Sequence, residues 1–217
     1  MEPTQFEEFD KAPLNIDTNR LIYSLIIHPK ATLQYILEKC PSKYVFPLLL
    51  IGGIANVFQQ ASENGKGDHS SLEVIVISSI IAGAIFGWIG YFIFAWALSV
   101  TGKWMGGKAN FEEFKTVLAW AQIPSIFYLI LIVPQILIFG LDLFKTEFSQ
   151  ESEVKDIIIL GFALIELGLG LWSLVISVIG IKIIQGFNTV KAIVNLIMPF
   201  LTFIGLIAFL VFLFTSF

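Results

Sequence analysis

The stretch from Ile157 to Ile181 carries a single charged residue, Glu166. A run so long and so apolar has one comfortable fold, a helix crossing a bilayer. About 20 apolar residues suffice to cover ~30 Å of hydrocarbon. Such a helix satisfies its own backbone hydrogen bonds, which lipid cannot do. An acid at that depth costs a few kcal/mol, about 2.5–3.5 for Asp on insertion scales, so it calls for a partner. The neutral polar candidates are Ser78, Ser79, Ser125, Gln135, Ser173 and Asn195. Three readings of Glu166 stand side by side: a protonated, hydrogen-bonded structural acid, a proton or cation site, and a contact with a partner inside the membrane.

Composition agrees. The 217 residues are 56% hydrophobic and 14% charged, with mean hydropathy +0.83. Globular domains carry about 25% charged residues. The fold class expected is all-α: a polytopic membrane protein. Five spans are expected at about 44–58, 72–100, 117–141, 157–181 and 192–214, within a membrane domain over 19–217 that follows a polar tail over 1–18. The first span is the shortest and contains Pro47, Gly52 and Gly53. A segment of that length also suits a re-entrant path.

Charge counting favours a full crossing. With five spans, ten of the thirteen Lys and Arg residues fall on one side, including Arg20, Lys103, Lys108, Lys115, Lys182 and Lys191. Only Lys66, Lys145 and Lys155 fall on the other. Cytoplasmic loops hold the excess of Lys and Arg. The N-terminus is therefore expected in the cytoplasm and the C-terminus outside. The acidic start, Met1 to Asp10, lacks the basic region of a cleaved signal peptide, so the first span should be retained. Lysine predominance over the lone Arg20 hints at an AT-rich bacterial genome, hence a bacterial inner (plasma) membrane.

Cys40 stands alone, so no intrachain disulfide is expected. His28 and His69 fall on opposite faces, and no metal site or cofactor is expected. Asp142, Glu147, Glu151, Glu153 and Asp156 make the loop after the third span acidic. That loop reads as solvated surface or as a contact face for a basic partner.

Ahead of the first span, Pro29 suits a first helical turn. Leu33, Ile36, Leu37 and Cys40 then fall at i, i+3, i+4 and i+7, one apolar stripe. Ile22, Leu25 and Ile26 repeat the spacing. The stripe predicts an N-terminal amphipathic interfacial helix, lying on lipid or packing on the protein's own bundle.

The two inner loops share a design. Ser99-Val100-Thr101-Gly102 matches Ser177-Val178-Ile179-Gly180, and each is followed by Lys, then Gly, then Phe. Helices are then expected to run to Pro124 and to Pro199. This suggests parallel repeats of a two-helix unit. Asn110 and Glu113 have capping-box spacing, and Asn188 or Thr189 should cap the last helix. Gly106 and Gly107 permit a tight turn or a nest for an anion. Gly83 and Gly87 form a G-x-x-x-G face for helix packing, and Gly161, Gly168 and Gly170 allow close approach near Glu166.

At these loops the chain resembles the Yip family, the Ypt/Rab-interacting membrane proteins. Gly102 to Pro124, with Gly106-Gly107, Phe111 and Ala119-Trp120-Ala121-Gln122-Ile123-Pro124, looks like one signature. Leu171-Trp172-Ser173 through Gly180, then Gly186-Phe187-Asn188-Thr189-Val190-Lys191-Ala192, looks like the second. Pro29-Lys30-Ala31-Thr32-Leu33 is similar to the opening segment of prokaryotic members. The resemblance implies five membrane helices, a cytoplasmic N-terminus and no known catalysis. It also implies partners: Rab-type GTPases for eukaryotic members, and macrolide-type ABC exporters for some prokaryotic ones. The short N-terminal segment departs from the eukaryotic pattern, which puts an ABC exporter component ahead of a GTPase.

Two functional classes follow. One is a non-enzymatic membrane adaptor that binds another integral membrane protein or itself. The other is a small transporter or channel using Glu166. An enzyme is not expected, since no H-E-x-x-H pair, facing acids or Ser-His pair is present. Nucleic acid is not an expected partner, since the basic residues are dispersed and the pI is about 5.2.

Overall fold

The computed structural model describes residues 18–147 and 153–215, and these are helical throughout, without strands. The polar tail predicted over 1–18 and the acidic Glu151 lie outside the described residues, save Thr18. Five segments are long and apolar enough to cross a membrane: Val45–Glu63, Leu72–Trp104, Ile123–Phe144, Glu153–Gln185 and Thr189–Thr215. The last two leave much of their surface exposed; their buried residues lie toward the facing ends, between Ile176 and Gln185 and at Ala192 and Asn195. Exposed Leu, Ile and Phe in such numbers are at home against acyl chains, which are as apolar as they are.

Two short helices precede the first span, α1 (Leu21–Ile27) and α2 (Pro29–Lys39), with Pro29 at the start of α2. The predicted stripe is present, but it turns inward. Leu33 and Ile36 are fully buried in a core with Trp120, Leu48 and Ile176, and Leu37 is half-buried. Of the two readings of the interfacial helix, packing on the bundle prevails for this face. In α1 the expected row of Ile22, Leu25 and Ile26 is met in part: Leu25 is buried and Ile26 half-buried, but Ile22 is exposed and Leu21 is buried in its stead. A one-residue offset rotates a helix by 100°, and two apolar rows side by side do not disclose which faces the core.

The first crossing helix, α3 (Val45–Glu63), is longer than predicted. Pro47 sits in its first turn, where a missing N–H is harmless. It packs along α4 (Leu72–Phe86), and the contact is made by glycine. A Cβ on Gly53 would lie 2.8 Å from the Gly83 carbonyl oxygen, and one on Gly87 would lie 2.5 Å from the Gly53 Cα. The G-x-x-x-G face thus joins two helices of the same chain. At Gly87–Trp88 the span bends into α5 (Ile89–Trp104).

The third span differs from its predicted limits of 117–141. Residues 111–121 form a separate, largely buried helix, α6 (Phe111–Ala121), which stops before Pro124. Pro124 has no N–H to donate to the Trp120 carbonyl, and it falls in the first turn of the next helix. The crossing run is made by α7 (Ile123–Ile126), α8 (Tyr128–Phe139) and a 3₁₀ turn, Gly140–Phe144. The fourth and fifth spans are α9 (Glu153–Gln185) and α10 (Thr189–Thr215). Here Pro199 does not end the helix as predicted; α10 continues through it. Pro is tolerated in membrane helices, where neighbours and local adjustment satisfy the freed carbonyl.

With five crossings, the turns at 105–110 and 186–188 share one face of the bundle, called here the loop face. The far face is closed by Gly65–Asp68 against Gly140–Phe144. Ser62 donates to the Leu143 carbonyl at 2.7 Å, and a Cβ on Gly67 would meet the Leu141 carbonyl oxygen at 2.9 Å. Asp68 accepts from the Thr146 hydroxyl at 2.6 Å, and that bond holds its carboxyl below the usual carboxylate range.

Candidate functional site

The loop face is organised by two buried amides. Gln185 ends α9 and Asn195 stands in the second turn of α10. The Ala109 N–H donates to Gln185 Oε1 at 3.0 Å, tying the first turn to the end of α9. Asn195 Nδ2 donates to Thr101 Oγ1 at 3.0 Å and to the Leu98 carbonyl at 3.3 Å. Gln185 Nε2 and Asn195 Oδ1 have no side-chain or backbone partner among the described residues. These amides explain two glycines. A Cβ on Gly102 or on Gly107 would run into the Gln185 side chain. Gly180 lies against Val117 in the same way.

Gly106 has φ +83° and Gly186 has φ +67°, so each signature loop turns on one left-handed glycine. Gly107 does not; its role is close approach. Of the two readings of Gly106-Gly107, the tight turn is formed and the anion nest is not. The Gly106 N–H donates to the Lys103 carbonyl at 3.0 Å and the Gly107 N–H to the Gly102 carbonyl at 2.9 Å, so both point back into the turn. Asn110 caps α6 with the full reciprocal box: Glu113 N–H donates to Asn110 Oδ1 at 3.0 Å, and Asn110 N–H to Glu113 Oε2 at 2.8 Å. Asn188 caps α10, accepting from the Lys191 N–H at 2.8 Å. Phe111 packs edge-on to Phe92, and Phe187 is buried with Phe114 and Ile181.

Beside this cluster lies a groove of about 560 Å³. Its floor is apolar, with Leu37, Val45, Leu49 and Phe92; Phe46, Glu112 and Lys115 stand on its rim. Thr116 donates to the Pro41 carbonyl at 3.0 Å and so fixes α6 against the α2–α3 connection. Lys115 pairs with Glu112 and lies 5.5 Å from the centre of the Phe92 ring. Tyr44, at the start of α3, has φ +58°, a backbone region rarely used outside glycine. Its ring is 6.1 Å from that of Trp120.

Inside the spans, Gln135 Nε2 donates to Glu166 Oε1 at 2.7 Å. Gln135 is buried and Glu166 half-buried. Ser125 and Ser173 bond to each other at 2.8 Å, and Ser177 donates to the Ser173 carbonyl. On α9, Glu166, Ser173 and Ser177 lie at i, i+7 and i+11, one face. A polar column therefore runs between α9 and the α7–α8 segment. Of the candidate partners of Glu166, Gln135 meets it; Ser78 bonds within its own helix and Asn195 belongs to the loop-face cluster. A Cβ on Gly161, Gly168 or Gly170 would meet nothing within 4 Å, so the close approach expected of them is not made.

Sequence reading missed Gln185, whose one signal is an amide in the last turn of an otherwise apolar helix. It also missed Gln122, which is buried against Gly52 with neither amide atom paired.

No curated protein and no solved structure matches the chain. The family model described as the Yip1 domain matches residues 23–211, a range that holds α2, both glycine turns, both asparagine caps and all but the end of α10. The chain belongs to the Yip1 domain family of membrane proteins.

Proposed function

We propose that this protein is a non-enzymatic membrane adaptor, which docks another integral membrane protein through its loop face. The observation that carries the reading is the groove between α2, α3 and α6. Phe46 is 69% exposed at its edge, over an apolar floor with a charged rim. An exposed aromatic over apolar floor and polar rim is the anatomy of a protein contact. The strained Tyr44 beside it adds support, since such backbone clusters at binding sites. An ABC-type exporter component is the partner to test first. That choice rests on family analogy alone. The ten-to-three charge split supports a cytoplasmic loop face, and the predominance of lysine over Arg20 supports a bacterial inner membrane.

Affinity capture from native membranes in mild detergent, with quantitative mass spectrometry, tests the reading. A stoichiometric ABC exporter component is the expected result. The protein alone would overturn it.

The second reading, a transporter, draws on the polar column at Glu166. It ranks second because the column's members bond to one another. Proton-driven uptake in vesicles that vanishes in Glu166→Gln would promote it.

A further inference from the structure

A second groove, of about 730 Å³, opens sideways from the bundle between α5 and α10. Its size falls within the roughly 300–1,000 Å³ of small-molecule sites. Gly90, Ile93, Ala97 and Val100 line one wall, Pro199 and Phe203 the other. The Phe94 and Phe200 rings, 5.3 Å apart, join the walls. From Gly90 to Trp104 the α5 wall is about 21 Å long at 1.5 Å per residue. One leaflet of hydrocarbon is roughly half of ~30 Å deep. The groove therefore runs the depth of the leaflet on the loop-face side.

Its two ends differ. The deep end is capped by Asn56 of α3, which accepts from Gln60, and is widened by Gly90. A Cβ on Gly90 would meet nothing within 4 Å, so this space is open. The loop-face end carries Trp104, 63% exposed, and next to it Lys103. Trp96, Val100 and Lys103 stand at i, i+4 and i+7, so the cation continues the row of side chains that lines the groove. Tryptophan settles at the headgroup level, and lysine there attracts anionic headgroups. An apolar slot of leaflet depth that ends in a Trp and a Lys matches one ligand chemistry.

We propose that this groove is a binding site for one anionic phospholipid of the loop-face leaflet, its acyl chain along α5 and its headgroup at Lys103. The site is independent of the adaptor reading.

The test uses the full-length protein in phosphatidylcholine vesicles containing phosphatidylglycerol with a photoactivatable acyl chain. Labelled residues are mapped by peptide mass spectrometry. The expected label falls several-fold more densely on Ile93–Trp104 and Pro199–Leu206 than on Leu160–Leu171, which is more exposed than the α5 segment. Gly90→Leu, and separately Ala97→Phe, reduce it to the α9 level with melting unchanged. Lys103→Gln removes the preference over a phosphatidylcholine probe. Label in proportion to exposure, label unchanged in both plugged variants, or cross-links between two copies of α5 in place of lipid would each overturn the proposal.

Discussion

Gly106 and Gly186 occupy the left-handed region with open space around them, so backbone conformation alone restricts these positions. Gly106→Val and Gly186→Val should each lower stability by roughly 1–2 kcal/mol, the cost of left-handed backbone for a residue with Cβ. Thermal melting in detergent measures this. Gly90→Ala, a substitution into equally open space, is the control expected to melt unchanged. Both turn glycines were legible from the sequence, because each precedes an asparagine cap. The Gln185 amide was not legible, since its partner Ala109 lies 76 residues away. Gly102 and Gly107 owe their identity to that amide, so sequence gave their place but not their cause. The acid within the spans yields a paired prediction. Glu166→Gln keeps an acceptor for Gln135 and should fold and melt as the parent does. Glu166→Leu leaves a buried amide donor unpaired and should cost about 1–3 kcal/mol in the same melt. A fall in expression or melting for the Gln variant would mean that the acid is charged and paired.

Helix packing sets the next scale. α3 and α4 meet backbone to backbone across Gly53, Gly83 and Gly87, and the Gly83 Cβ position lies 2.5 Å from the Ile54 Cα. Gly83→Leu must part the helices, and overpacking of this kind costs about 1–3 kcal/mol. A melt of that variant equal to the parent's would contradict the packing. The spacing Gly83-x-x-x-Gly87 was readable in advance; its partner was not, because a small-residue face does not say which helix fills it. Proline was ambiguous for a similar reason. Pro124 stands just after a helix break while Pro134 and Pro199 lie inside their helices, and the position of a proline alone does not say which. On the far face, Asp68 gives a pH dependence. Its carboxyl is held low by Thr146, so the folded pKa lies below the unfolded one. The bond's contribution is present above the unfolded pKa and is lost as pH falls through the folded one. The protection of the Thr146 amide, taken as its exchange rate relative to the intrinsic rate at the same pH, should therefore fall below the ordinary carboxylate range. Asp68→Asn should remove that pH dependence.

Over the whole molecule, hydropathy and segment length specified the five helices able to cross, because bilayer thickness acts on composition alone. What they did not specify is the inner architecture. α2 turned its stripe to the bundle and α6 became a buried helix of its own, since amphipathic faces have several takers in a membrane protein. The outcome is a loop face with two sequence-coded turns bolted together by Gln185 and Asn195, and a groove at their side. On the proposed reading, this groove receives another membrane protein. Photo-cross-linking in native membranes, from a benzoylphenylalanine at Phe46 and in parallel at Leu137, tests it most directly. Leu137 is 81% exposed on α8, away from the groove. A discrete adduct with one integral membrane protein from Phe46, and none from Leu137, is the predicted result. No protein adduct from Phe46, or the same adducts from both positions, would contradict it.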